Sequence, residues 1–133
     1  MNVDSILISE FATLTPGNQL TVVRTFNSLA ATNFPAQRAF LAISLVIHAH
    51  RSERGTEHEV EIRVVGPSET KPLNTGKFTL PSGDPPAGMP LRYTYVHQTV
   101  GIGFATPGSY AFEVYIDGTY SAASTVHIRQ KTE

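Results

Sequence analysis

The stretch Phe104–Ile128, FATPGSYAFEVYIDGTYSAASTVHI, decides the fold class. From Tyr110 its residues alternate. Tyr110, Phe112, Val114 and Ile116 point one way; Ala111, Glu113, Tyr115 and Asp117 point the other. A period of two marks a strand with one buried face. Thr106-Pro107-Gly108-Ser109 precedes it, with proline and glycine in the order a type II turn requires. Asp117-Gly118 sits between two strand-like runs and predicts a two-residue type I′ hairpin, since both positions must take φ > 0. The return strand sets Tyr120, Ala122, Ser124, Val126 and Ile128 on one face. Its other face carries Thr119, Thr125, His127 and Arg129. The small residues Ala122, Ala123 and Ser124 leave room for something larger above them. Such a hairpin is marginal in water and calls for more strands and a second layer.

The preceding segments supply them. Leu91–Phe104 reads as a long strand, with Leu91, Tyr93, Tyr95 and His97 on one face and Val96, Val100, Ile102 and Phe104 on the other. Gly101 and Gly103 predict a bulge or a close approach of another segment. Pro81–Pro90, with four prolines and two glycines in ten residues, is a surface loop. Gly76–Leu80 reads as a short edge strand after a loop over Gly66–Asn74. Glu57–Val65 is a clean amphipathic strand: His58, Val60, Ile62 and Val64 inward, Glu57, Glu59, Glu61 and Arg63 outward. Arg38–His50 is apolar on both faces and therefore central, with both sides covered. Asn27–Gln37 reads as a crossover with a helical turn at Ser28–Ala31, anchored by Leu29 and Phe34. Val3–Ala12 and Leu20–Phe26 form a hairpin around Thr15-Pro16-Gly17-Asn18, although the mixed pattern of Val3–Ala12 leaves its inward face undecided. About eight strands closely spaced by turns, with no dividing linker, predict one all-β domain over residues 1–133. A two-layer β-sandwich is the economical architecture, and a jelly roll is the alternative.

The totals exclude several function classes. The 133 residues contain no cysteine, so disulfides, thiolate metal sites and cysteine catalysis are excluded, and the composition suits a reducing, cytoplasmic setting. A chain of this size buries roughly two-thirds of its unfolded surface and needs no staple to fold. No apolar run reaches membrane-spanning length. The opening residues, with an early Asp4 and no basic region, do not read as a signal peptide. Ten basic and eleven acidic residues give a net charge of −1 without a basic patch, which argues against nucleic acid as a partner. Nothing in the sequence predicts a cofactor: no G-x-S-x-G elbow is present, and no glycine-rich loop leads into a helix.

The opening VDSILISEF, the TPG turn followed by NQLTVV, and the closing PGSYAFEVYIDG resemble an uncharacterised family of small bacterial β-sandwich proteins, known only as a domain of unknown function. The resemblance covers nearly the whole chain. It implies an immunoglobulin-like sandwich and a bacterial or phage source, and it supplies no catalytic residues.

Two constellations invite a chemical reading. His48-Ala49-His50 places two imidazoles at i and i+2 on one strand face, and His58 on the next strand comes within reach across Arg51–Thr56. The pattern is similar to the first half of the cupin metal signature, but Glu53 stands at the wrong spacing, the upstream glycine is absent, and so is the second motif. A metal-dependent, cupin-like enzyme on His48, His50 and His58 is one reading; a strand end in solvent is the other. Tyr93, Tyr95 and His97, beside Arg92, form an aromatic stripe. On an exposed face it would contact a protein, a small ligand or a sugar, because aromatics offer contact area at low entropic cost. On an inner face it would be core. Taken together, the residues predict a non-catalytic interaction or structural module that binds another protein or self-associates through a sheet face, an end loop or an edge.

Overall fold

The computed structural model describes residues 1–17 and 19–131. Nine strands make two sheets: β1 (Asn2–Thr15), β2 (Gln19–Thr25), β3 (Ser28–Ala31), β4 (Ala36–Ala49), β5 (Glu57–Val65), β6 (Thr70–Thr79), β7 (Leu91–Phe104), β8 (Gly108–Ile116) and β9 (Thr119–Gln130). One sheet has the order β2-β1-β4-β7, and the other β3-β9-β8-β5-β6. Every pairing is antiparallel except β3 with β9. The chain crosses between layers five times, from β2 to β3, β3 to β4, β4 to β5, β6 to β7 and β7 to β8, so the amphipathic strands bury their apolar faces against one another as a β-sandwich.

The buried face of β8 and the turn that follows it are as read. Tyr110, Phe112, Val114 and Ile116 are buried, and Asp117 and Gly118 take φ of +50° and +81°, the pair of left-handed conformations a type I′ turn demands. From the facing layer come Leu41, Ile43, Leu45 and Ile47 of β4, all wholly buried. Val60, Ile62 and Val64 complete the centre of the core.

β4 is covered on its other face too. Ala42 and Ser44 are buried there, although no part of the second sheet lies on that side. The cover is the β1–β2 hairpin. β1 bends at Ser9, whose hydroxyl donates to the Phe11 carbonyl. Beyond the bend the Glu10 carbonyl accepts from the Gln98 amide of β7, two strands away. Near the hairpin turn, Gly17, Gln19 and Leu20 face Val46 and Arg92 across a shallow depression. The small side chains of Ala42 and Ser44 are what let this hairpin lie close. Asn18, the last residue of the expected Thr15–Asn18 turn, lies outside the described residues.

Four local expectations are corrected. Ser28–Ala31 is not a helical turn but β3, running parallel to β9 from Ser28 opposite His127 to Ala31 opposite Gln130, while Leu29 and Phe34 anchor the crossover as expected. β6 starts at Thr70 and includes Pro72, inside the expected loop; an edge strand tolerates a residue without an N–H. Tyr120 faces outward, because the ladder shifts by one residue between Val114 and Tyr115 and sets Tyr120 opposite Tyr115. The expected type II turn before β8 is instead a bend over residues 105–107, closed by the Tyr110 hydroxyl, which donates to the Thr106 carbonyl at 2.6 Å. A tyrosine at the start of a strand bonded back to the preceding corner is a device of immunoglobulin-like sandwiches.

Candidate functional site

The aromatic stripe lies on the inner face. β7 pairs with β4 so that Tyr93 stands opposite Ile47, Tyr95 opposite Leu45 and His97 opposite Ile43, which point into the core. Tyr93 stacks on Phe78 at 4.9 Å between centroids. The Tyr95 hydroxyl accepts from Asn74 Nδ2 at 2.7 Å. Burial pushes His97 below the usual imidazole range. Arg92 belongs to the opposite face, across from His48. The stripe of Arg92, Tyr93, Tyr95 and His97 is therefore split between two faces, and its tyrosines close the open side of the sandwich between β6 and β7. Of the two readings the alternation left open, the inner face holds, because core and surface tyrosines share one pattern.

The three histidines separate as well. His48 lies 3.8 Å from Asp4 on the outer face of β4. β4 ends at Ala49, so His50 has left the strand and no longer shares a face with His48. It caps a short 3₁₀ turn, Arg51–Glu53: its Nδ1 accepts from Ser52 N, while Glu53 accepts from His50 N at 3.1 Å. His58 stands in the other sheet, because Arg51–Thr56 is a crossover between layers and not a hairpin. Among the described residues, no three His, Asp or Glu side chains are placed to hold a metal ion. His48, His50 and His58 do not form the expected cluster.

His58 instead completes a relay that the sequence did not suggest. Its Nδ1 is 2.6 Å from Asp117 Oδ2, and its Nε2 is 2.6 Å from the Thr56 hydroxyl. Asp117 Oδ1 accepts from Glu59 N at 2.9 Å. Burial pushes the Asp117 carboxyl up, but the Glu59 amide and His58 outweigh it and hold it below its usual range. The connectivity of hydroxyl, imidazole and carboxylate is that of an activated nucleophile. The proton points the wrong way, however. The Thr56 hydroxyl donates to the Glu53 carbonyl, so towards His58 it acts as acceptor. The relay is a clasp that ties the β4–β5 crossover, β5 and the β8–β9 turn together.

The outer face of the five-stranded sheet is also satisfied internally. Arg63 bonds Glu61 and lies over the Tyr115 ring at 4.1 Å. Tyr115 donates to Glu113 at 2.9 Å and meets Tyr120 edge-on. The Arg63 hydrogen bond lowers the Glu61 carboxyl and outweighs desolvation. The Glu113 acceptor raises the Tyr115 phenol.

One surface gathers three exposed apolar side chains. Beyond the reach of the β1–β2 hairpin, the outer face of β4 and β7 carries Phe40 and Val100, paired opposite each other and 57% and 77% exposed. Phe11, at the bend of β1, is 49% exposed. The three line one groove of ≈ 550 Å³ with Ala39 and a polar rim of Glu10, Gln37, Arg38 and Gln98. Arg38 Nη2 donates to Glu10 Oε1 at 2.7 Å, which neutralises the groove's cation. Sequence reading placed Phe40 on a covered face. The signal it missed is the change of size along that face, from small Ala42 and Ser44 to Phe40.

The chain belongs to a family of unknown function, DUF6941, whose model matches residues 4–129. No curated protein sequence matches it. Among solved structures, it is similar to part of the Pseudomonas fluorescens alkylpurine DNA glycosylase AlkC bound to DNA containing an abasic site analog, at 12% identity and a TM-score of 0.48. The likeness covers 93% of this chain and 30% of that one, and it carries no functional argument.

Proposed function

We propose that this member of the family is a non-catalytic protein-interaction module that engages its partner through the corner formed by Phe11, Phe40 and Val100. The observation that carries the reading is the convergence of three large exposed apolar side chains on one groove with a polar rim. Contiguous apolar surface rimmed by polar groups is the mark of a protein-docking site. The net charge of −1 and the Glu10–Arg38 pair inside the groove favour a protein over a nucleic acid. Affinity capture tests it, with the wild-type chain and a Phe40→Ser/Val100→Ser variant as baits and thermal unfolding as the control for folding. A partner held by the wild type and lost by the equally stable variant is expected. Identical captured sets would refute the assignment.

A further inference from the structure

Resting on that reading, we propose that the partner is a second copy of this chain, added edge to edge along β7 so that two four-stranded sheets become one continuous sheet about a two-fold axis. The sandwich has four terminal strands, β2 and β7 in one sheet, β3 and β6 in the other. An open terminal strand presents unpaired N–H and C=O groups, and proteins that stay monomeric close such edges.

Three of the four are closed. β3 is only four residues long. β2 is interrupted by Arg24, a non-glycine residue at φ +55°. β6 carries Lys71, Pro72 and Lys77, and the ladder beside Pro72 is irregular. β7 has no such device over most of its length. It runs for 14 residues, contains no proline or lysine, and pairs only with β4 among the described residues. Its stretch before Gly101 is regular, and from Tyr93 to Val100 no side chain is an Asp, Glu, Lys or Arg.

That charge pattern selects the occupant. Two copies of Tyr93–Val100 laid antiparallel meet with no like charges opposed, whereas a foreign strand has no charge on this edge to select it. Antiparallel self-pairing is isologous, so it closes at two copies and does not propagate. Val100 stands on the edge strand itself, where the second copy's β7 lies beside it, and Phe40 is one strand further in. Gly101, at φ +72°, ends the regular stretch: inward residues before it are Tyr93, Tyr95, His97 and Thr99, and after it Ile102 and Phe104. The pairing ribbon therefore stops at Val100.

The test is sedimentation across a concentration series of the full chain, with hydrogen exchange of β7 followed in parallel. The expected result is a reversible dimer in which protection of Tyr93–Val100 rises with concentration. Val100→Lys should weaken association by at least about tenfold without lowering the unfolding temperature, and Val100→Ile should restore it. Val96→Lys, on the same face, provides a second variant. A chain that stays monomeric into the high micromolar range would overturn the inference. A dimer indifferent to both lysines, with β7 unprotected, would overturn it too. A monomer that still captures a different protein through Phe40 would remove self-pairing alone and leave the interaction reading in place.

Discussion

Replacing Tyr110 with phenylalanine isolates a single hydroxyl on which the β7–β8 corner depends. The ring is 2% exposed and packs edge-on against Phe104 at 4.8 Å, contacts that phenylalanine keeps. What disappears is one short bond, donated to the Thr106 carbonyl at 2.6 Å, and one longer bond, accepted from Thr106 N at 3.3 Å. An intramolecular hydrogen bond nets about 0.5–1.5 kcal/mol, and one whose partner is left buried costs more. Thr106 is exposed, so its freed groups reach water and the higher penalty does not apply. The expected loss is therefore about 1–2 kcal/mol. At about 2.1 cal/mol/K per residue, a 133-residue chain has an unfolding entropy near 0.28 kcal/mol/K, so the midpoint should fall by about 4–7 °C. Scanning calorimetry reads this directly, and urea titration should show a lower midpoint with an unchanged slope. A shift below about 1 °C would mean that the hydroxyl is as well served by water, and that ring packing alone sets the corner.

A Cβ on Gly76 would run into the Tyr95 hydroxyl; Gly76→Ala should destabilise by about 1–3 kcal/mol, and a Tyr95→Phe background should recover part of that in a double-mutant cycle. Asp117→Asn tolerates the positive φ but gives up the His58 pairing; with that carboxylate half exposed, the loss by denaturant titration should be about 1 kcal/mol. The Asp117 carboxyl is held below its unfolded value, so its contribution is present above about pH 4 and lost as pH falls through the folded value; Asp117→Asn should flatten that acid limb. Burial lowers His97 below the unfolded value of 6.5, so the unfolded chain binds the proton more readily and stability should fall as pH drops below that value, a slope that His97→Phe should reduce in melts from pH 7 to 5. Phe112→Ala, at a wholly buried centre, should cost about 3–5 kcal/mol, whereas Val100→Ser should leave the melting midpoint unmoved.

How much was legible depended on whether a feature was local. Period two in Tyr110–Ile116 and Glu57–Val65 was enough to orient both strands, because in a sheet with one buried face the pattern and the face are the same information. The Asp117-Gly118 turn was legible because its backbone requirement falls on its own residues. Tyr120 was misplaced because the one-residue shift beside Tyr115 leaves no signature in composition. The sign of the Tyr93/Tyr95 face and the dispersal of His48, His50 and His58 depend on which sheet each strand joins, and that is decided by long-range pairing. The clasp of Thr56, His58 and Asp117 joins residues about sixty positions apart, so no window of sequence holds it.

The groove and the open edge have a common cause. The outer face of β4 cannot be covered by the second sheet, so the β1–β2 hairpin folds back over it, and this works only where the face is lined by small residues. At Phe40 and Val100 the face becomes bulky just where β1 bends at Ser9 and crosses to Gln98 of β7. Had the chain needed only solubility there, a polar residue at either position would have cost nothing, since both side chains are more than half exposed and neither supports the core. A valine 77% exposed on a 14-residue terminal strand without a proline or lysine is two departures from edge protection at one place. They call for a single occupant, a strand that satisfies the backbone of β7 and packs beside Val100.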